Sequence, residues 1–198
     1  IRKRLTQQKL ALTRAVEQIR HLATHDELTG LVNRRRMTEL MEAEWQRCER
    51  NGRPLILALL DLDLFKHIND TQGHAVGDQV LQTFALTVQA ALRSTDVLAR
   101  WGGEEFLFLM PATEGQKANI AVERLRESLR KSTISPSVPD LTLTFSAGIA
   151  VHSLPLPLHR TLERADQALY AAKEGGRNRT ETAPPPQTDG VTLAREAG

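Results

Sequence analysis

Hydrophobic residues recur at alternating three- and four-residue steps at the start of the chain. Residues 1–24 contain no glycine or proline, and the recurring positions are Leu5, Gln8, Leu12, Ala15, Ile19 and Leu22. A seam of about three heptads predicts an amphipathic helix. Two interpretations stay open, because such a helix either packs on its own domain or pairs two chains as a parallel coiled coil. Gln8 and Ala15 favour a weak pairing, which a signalling helix would tolerate.

Helical and strand patterns alternate along most of the remaining chain. The segment HDELTGLVN, residues 25–33, breaks the helical period with turn residues. Helical periodicity predicts helices over 34–50, 74–92, 116–131 and 158–173. Apolar or alternating runs predict strands over 55–63 and 141–152, and a pair within 96–110 that turns at Gly102-Gly103.

This order of elements predicts an α/β fold of the α+β sandwich type, with a mixed, mainly antiparallel sheet. After Gly175 the chain becomes polar, and its last residues, which include PPP, show no periodicity. We therefore expect a disordered tail over residues 180–198.

Composition indicates a soluble globular protein of one domain with appendages. The chain has 198 residues, of which 40% are hydrophobic and 25% charged, and its formal net charge is +2. The pI near 8.9 is compatible with an anionic ligand. The longest apolar run is far shorter than the roughly 20 residues that span a bilayer.

The single cysteine, Cys48, excludes an intrachain disulfide framework and a CxxC zinc site. It fits a reducing compartment, so we expect a cytoplasmic domain. Because the chain begins with Ile1, we also expect that an upstream region is missing, such as a sensory domain or a membrane anchor.

Two pairs of acids follow apolar runs. Asp61 and Asp63 emerge on one side at the end of a predicted strand, and Glu104 and Glu105 follow the hairpin glycines. Up to four carboxylates gathered there would need a cation, and hard oxygen ligands select Mg²⁺ or Mn²⁺. The alternative is that the acids are separate solvated charges or partners of nearby lysines and arginines.

Two further segments carry candidate ligand-binding groups. In HINDTQGHAVGD, the Asn69 amide and the Asp78 carboxylate can together read a guanine edge, although any junction between a loop and a helix is rich in these residue types. In KEGGRN, Lys173 and Arg177 can hold phosphates or simply complement a helix C-terminus. In RSTD, residues 93–96, an i,i+3 ion pair on a helix is the default interpretation.

Together these segments resemble the GGDEF family of diguanylate cyclases, which condense two GTP molecules into cyclic di-GMP. The resemblance covers residues 25–179 and rests on DELTGLVNRR, DLDLFKHINDTQGHAVGD, RWGGEEF and ADQALYAAKEGGRN. The first glutamate of GGEEF replaces an aspartate, a variant that active members use. The family fold implies a central, mostly antiparallel sheet flanked by helices, as in nucleotidyl cyclases and the polymerase palm, preceded here by the helix of residues 1–24.

The resemblance also implies roles for individual residues. The metal ligands would be Asp61, Glu104 and the backbone carbonyl of Leu62, with Glu104 also the base and Lys66 the stabiliser of the transition state. Asp63 and Glu105 would support this site. The groups that contact substrate would be Asn69, His74, Asp78, Gly102, Gly103, Lys173 and Arg177, with the glycines allowing close approach of the nucleotide.

Each domain would hold one GTP, so the resemblance implies an antiparallel homodimer, and this favours the coiled-coil interpretation of the N-terminal helix. Five residues, 97–101, separate the segment of Arg93 and Asp96 from Gly102, which is the spacing of the family's inhibitory RxxD site and implies feedback inhibition by cyclic di-GMP. No nucleic-acid polymer is expected as a partner. Two alternatives stay open: a silent domain that binds GTP or cyclic di-GMP as a regulator, and a purely structural dimerisation module.

Overall fold

The computed structural model describes residues 2–154 and 156–186. Its helices are α1 (Arg2–Thr24), α2 (Arg34–Asn51), α3 (Phe65–Gln72), α4 (His74–Ala90), α5 (Gly115–Arg130) and α6 (Leu158–Glu174). Its strands are β1 (Val32–Asn33), β2 (Leu55–Leu62), β3 (Val97–Arg100), β4 (Glu105–Pro111), β5 (Phe145–Val151) and β6 (Thr180–Thr182).

The six strands form one mixed sheet in the order β1-β3-β4-β2-β5-β6. The central strand β2 pairs antiparallel with β4 and β5, and β3 pairs antiparallel with β4 across the predicted hairpin. The short edge strands β1 and β6 are parallel to their neighbours. The predicted α+β sandwich with a mainly antiparallel sheet is therefore confirmed.

Both faces of β2 are buried, which explains its continuous apolar run. Ile56, Ala58 and Leu60 belong to the core on the side of α4 and α5, whereas Leu57 and Leu59 belong to the core on the side of α2 and α6. Since side chains alternate along a strand, the next position of the second set is Asp61. The carboxylate of Asp61 therefore emerges on the α6 side of the sheet.

Helix α6 lies unusually close to strand β5 at Gly148. A Cβ atom at this position would lie 2.1 Å from the carbonyl oxygen of Ala165 and 2.2 Å from the backbone nitrogen of Leu169. Only glycine permits this approach, because backbone atoms on both sides would otherwise have to move. The contact sets the height of α6 above the sheet and hence the position of its last turn.

Several elements differ from the sequence-based expectation. The segment after Asp63, which the sequence suggested was a loop, forms α3, and the strand expected over 141–152 begins only at Phe145. The strands β1 and β6 were not predicted, because two or three residues carry too little pattern to be recognised.

The prediction that a disordered tail starts at residue 180 is wrong for its first residues. Thr180–Thr182 pair with the open edge of β5, and Ala183, which follows, is buried. The backbone amide of Ala183 donates to the carbonyl of Ile149 at 2.7 Å, which extends the pairing by one bond. The rest of the predicted tail from residue 187 onward lies outside the described residues.

Helix α1 does not pack on the domain. Residues 6–23 are all exposed, including Leu12 at 67%, Ile19 at 66% and Leu22 at 51%. The interpretation of α1 as a helix packed on its own domain is therefore wrong for these residues, whereas the coiled coil remains a prediction. Ile1 and the side chain of Leu5 lie outside the description. Within residues 2–154 and 156–186, no helix is long and apolar enough to cross a membrane.

Candidate functional site

Asp61 lies at the end of β2 and is bound by a lysine from α6. Its side chain is nearly buried, and its Oδ2 atom lies 2.8 Å from Nζ of Lys173. Burial raises the pKa of Asp61, and the hydrogen bond and charge of Lys173 lower it by less. The charge of Asp63 also raises this pKa, and that of Arg177 lowers it. The acid at the strand end and the cations at the end of α6 therefore meet in one place.

Glu104 joins this group from the β3–β4 hairpin. Its backbone carbonyl accepts a hydrogen bond from the amide of Leu62 at 3.2 Å, which ties the hairpin turn to the end of β2. Burial raises the pKa of the Glu104 carboxyl, the negative charge of Asp61 raises it further, and Lys173 lowers it. Lys173 therefore lies near both Asp61 and Glu104, but its positive charge does not bring either pKa down to its ordinary value.

Asp63 has a different role from its neighbour Asp61. Its carboxylate accepts hydrogen bonds from the hydroxyls of Thr144 and Ser146, both at 2.7 Å, and from the backbone amide of Asn178 at 3.0 Å. With its oxygens used in this way, Asp63 joins β2, β5 and the segment after α6. These contacts are compatible with the supporting role that the sequence predicted for Asp63, and that role stays a prediction.

A cluster of four metal-binding carboxylates is not what the structure contains. Within the described residues, no group of three or more His, Cys, Asp or Glu side chains is arranged to hold a metal ion. The reason is that Asp63 binds hydroxyls and an amide, while the Oε2 atom of Glu105 turns back over Gly102, 2.7 Å from where a Cβ would stand. Asp61 and Glu104 remain as the acidic pair.

The two hairpin glycines are constrained differently. At Gly102 a side chain would collide with Glu105, whereas at Gly103 a Cβ would meet nothing within 4 Å. The carbonyl of Gly103 accepts from Nη2 of Arg100 at 2.9 Å, and Nη1 of the same arginine lies 3.2 Å from Asp26. The space at Gly103 is therefore open to a ligand, while an ion pair with the HDELTG segment holds the turn.

Helices α3 and α4 contact each other and follow the end of β2. Leu64 introduces α3 with a positive φ of 57°, and Lys66 follows it as an exposed residue. Gly77 on α4 packs against Asn69, since a Cβ there would lie 1.9 Å from the Asn69 amide oxygen. His74 and Asp78 lie on the first turns of α4, and both are exposed.

The segment after α6 carries the second candidate phosphate ligand, Arg177. Gly175 ends the helix, and the backbone amide of Arg177 donates to the carbonyl of Ala172 at 3.1 Å. Arg177 and Asn178 both have positive φ values, 61° and 48°. Lys173 on the helix and Arg177 beyond it therefore lie at the same end of α6, the end that reaches Asp61.

Arg93 and Asp96 are not part of this group. They lie in the turn before β3, at the opposite end of that strand from the glycine hairpin. The backbone amide of Arg93 donates to Oδ2 of Asp96 at 3.2 Å, and among the ion pairs of residues 2–154 and 156–186 none joins their side chains. The expected ion pair on a helix is wrong because α4 has already ended at Ala90. Both residues line a cavity of about 320 Å³ that also includes Gln89.

Sequence reasoning missed several residues that organise the site. Thr144 and Ser146 bind Asp63, and Asn178 supplies an amide to it. The alternation of LTLTFS places the hydroxyls of Thr144 and Ser146 on one side of the chain, so the sequence did contain a pattern that could have predicted this pair. The bond from Asn178 had no such signal, because 115 residues separate it from Asp63.

The fold and the site define a domain in which acids at one end of a central sheet meet cations from the last helix. The chain matches the family described as "Diguanylate cyclase, GGDEF domain" over residues 23–179, and it belongs to this family. It is 44% identical over 168 residues to "Diguanylate cyclase DgcP" of Pseudomonas aeruginosa, a match that covers 85% of this chain and 25% of the relative. The chain thus spans about a quarter of that relative's length.

Solved structures agree with this assignment. The coiled coil and GGDEF domain of DgcB from Caulobacter crescentus, in complex with c-di-GMP, superposes with a TM-score of 0.83 at 34% identity, covering 90% of this chain and 95% of that one. The active GGEEF domain of a diguanylate cyclase from Vibrio cholerae superposes with a TM-score of 0.73 at 31% identity, covering 79% and 99%. The GGEEF variant therefore also occurs in a relative described as active.

Enzymes of this family typically use a divalent metal. The residues at the site fit such an ion, because Asp61 and Glu104 offer hard carboxylate oxygens and both have raised pKa values. The negative charge of Asp61 raises the pKa of Glu104, and a cation bound beside both carboxylates would stabilise their ionised forms.

Proposed function

We propose that this domain condenses two GTP molecules into cyclic di-GMP and releases two pyrophosphates. The observation that carries the proposal is the convergence of Asp61, Glu104 and Lys173 at the end of the central sheet. Acids that can hold a metal, beside cations that can hold phosphates, are the groups that phosphoryl transfer from a nucleoside triphosphate needs.

Asp61, Glu104 and the backbone carbonyl of Leu62 would hold Mg²⁺ or Mn²⁺. When bound, such an ion neutralises charge on the triphosphate and favours ionisation of a ribose hydroxyl. Glu104 would take the proton from the 3′-hydroxyl of one GTP.

The remaining groups bind and orient the substrate. The 3′-oxygen of one GTP attacks the α-phosphorus of the other, and the bond to pyrophosphate breaks in line with it. Lys66 would balance the charge that develops in this step, while Lys173 and Arg177 would hold the terminal phosphates. His74 would make a further contact to the substrate, and the open space at Gly103 leaves room for the nucleotide backbone.

Asn69 and Asp78 would select guanine. A carboxylate accepts from the N1-H and N2-H₂ groups of guanine and an amide donates to O6, a pattern that adenine does not match. The packing of Asn69 against Gly77 supports this assignment, because it limits the positions that the amide can adopt.

The reaction would take place between two domains, each holding one GTP. The exposed apolar residues of α1, among them Leu12, Ile19 and Leu22, support a parallel coiled coil that brings two copies together. An upstream sensory region would act on this helix.

Arg93 and Asp96 would bind cyclic di-GMP as a product inhibitor. The arginine can grip a guanine edge or a phosphate while the aspartate accepts from guanine N-H groups, and the cavity beside them offers space. We expect Arg93→Ala to weaken inhibition by added cyclic di-GMP without loss of the basal rate. Unchanged inhibition would remove this assignment.

The activity is tested by incubating the purified domain with GTP and Mg²⁺ and measuring cyclic di-GMP and pyrophosphate. Specific activity should rise with protein concentration, because a half-site enzyme gains activity as it dimerises. Asp61→Asn and Glu104→Gln should each abolish synthesis while the domain stays folded. GTP binding without turnover in the unaltered protein would instead identify a silent regulatory domain, and absence of both would identify a structural module.

A further inference from the structure

Arg126 on α5 binds the segment that carries Arg177, although it lies outside the group of residues assigned above. Its guanidinium donates to the backbone carbonyl of Phe145, to Oδ1 of Asn178 at 2.9 Å and to Oγ1 of Thr180 at 3.0 Å. It also stacks over the ring of Phe145, 4.4 Å from its centroid. The Arg126 side chain is only 17% exposed, so this is a built contact rather than a surface ion pair.

The segment that Arg126 holds has an unfavourable backbone conformation. Arg177 and Asn178 are consecutive non-glycine residues with φ values of 61° and 48°. Such a conformation is unfavourable for a residue with a side chain and persists only where its surroundings enforce it. Two contacts do so at Asn178: Asp63 accepts its backbone amide at 3.0 Å, and Arg126 binds its side chain.

We propose that Arg126 is a positioning residue that directs Arg177 toward the terminal phosphates of the bound nucleotide. The proposal rests on the function proposed above, in which Arg177 and Lys173 hold those phosphates. It adds that the preference of the site for a triphosphate over a monophosphate depends on a side chain that does not touch the nucleotide. Without Arg126 the backbone of residues 177–178 leaves its positive φ values, and this displaces the Arg177 side chain from the phosphates.

The geometry requires a guanidinium and not merely a positive charge. Three acceptors surround Arg126, one on β5, one in the segment after α6 and one on β6. A planar fork with fixed N–H directions can reach all of them at once. A lysine at the same position offers one ammonium group and loses the fork. Arg126→Lys therefore serves as a charge-retaining variant that removes the geometry.

Helix α5 contains its own matched control. Arg126 pairs with Glu123 three residues earlier, and one turn later Arg130 pairs with Glu127 in the same i,i+3 arrangement. The difference is that Arg130 is 72% exposed, so its ion pair contributes little. Arg130→Met removes an arginine from the same helix without touching the contacts to Asn178.

The test measures binding of two probes to the full chain in Mg²⁺ buffer by calorimetry. One probe is a GTP analogue with a methylene group between the α- and β-phosphorus, which cannot react, and the other is GMP. For Arg126→Met we expect about a tenfold loss of affinity for the triphosphate analogue, since a weakened hydrogen bond between charged groups, here Arg177 and a phosphate, carries a loss of this order. Affinity for GMP should stay within about twofold, because the groups that read guanine do not contact this segment. Arg130→Met should bind both probes as the unaltered protein does.

Three comparisons test the proposal. Equal losses for GMP and the triphosphate analogue in Arg126→Met would show general structural damage and overturn the proposal. Full recovery in Arg126→Lys would overturn it too, because charge alone would then suffice. If Arg126→Met does not fold, Asn178→Ala replaces it, since alanine keeps the unfavourable positive φ at this position and removes the acceptor that Arg126 binds. The same selective loss is expected, and its absence refutes the inference.

A further variant separates this inference from the proposed function. If Arg177→Met leaves the ratio of the two affinities unchanged, the assignment of Arg177 to the phosphates is wrong. If Arg177→Met lowers the ratio and Arg126→Met does not, only the positioning role is wrong.

Discussion

Gly148→Ala should destabilise the domain and reduce its activity together, because Gly148 sets the distance between β5 and α6. An alanine Cβ would lie 2.1 Å from the Ala165 carbonyl oxygen and 2.2 Å from the Leu169 nitrogen. Since non-bonded heavy atoms prefer roughly 3.5–4 Å, α6 would have to move outward by about 1 Å or more. The atoms concerned are backbone atoms in the middle of a helix, so no rotamer change can relieve the contact.

The expected loss of stability is about 1–3 kcal/mol, the usual range for an overpacked core. This corresponds to about 2–4 °C in melting temperature for each kcal/mol in a domain of this size. GTP turnover should fall even where the variant is fully folded, because an outward shift of α6 lengthens the 2.8 Å contact between Lys173 and Asp61. We would measure urea unfolding, and GTP turnover at a temperature at which the variant remains folded.

Gly115→Ala is the matched control for this experiment. A Cβ at Gly115 would meet only a methyl group of Val151 at 3.6 Å, which is an ordinary contact. Its effect should range from neutral to a stabilisation of about 0.4–1 kcal/mol, as for other glycines replaced in a compatible conformation. If Gly148→Ala is as stable and as active as Gly115→Ala, the close approach of α6 is not what positions Lys173.

Two further predictions concern buried charge and pH. Lys173→Met leaves the nearly buried Asp61 carboxylate without its partner, so in EDTA the free energy of unfolding should fall by about 1–3 kcal/mol. Mg²⁺ without nucleotide should then raise the melting temperature of this variant more than that of the unaltered protein. Lys66→Met, at an exposed position, is the control, and an equal response in both variants would contradict the reasoning. Burial lowers the pKa of His152, a residue that is 5% exposed. The folded state therefore resists protonation, and stability should fall as the pH drops below about 6.5. Urea midpoints at pH 8 and 5.5 should differ less in His152→Gln than in the unaltered protein.

Some features of the site were predictable because they depend on local pattern. The apolar run before Asp61 and the glycines before Glu104 placed both acids at the ends of elements, and the antiparallel pairing of β2 with β4 brought them together. The segment of α3 was missed because its polar residues and the following glycine resemble a loop, whereas burial of Phe65 and Ile68 under the sheet stabilises it as a helix. Tertiary packing outweighs weak local propensity in such short elements.

The amino-acid sequence by itself determined the class of fold, the hairpin, the acids at the end of β2 and the family, since these depend on alternation, turn residues and motif spacing. Only the tertiary structure decided how the acids differ. Asp61 binds Lys173, whereas Asp63, two residues later, binds two hydroxyls and the amide of Asn178. The physical reason is that a carboxylate takes its role from the donors around it, and for both acids the decisive donors come from segments more than 80 residues away in the chain.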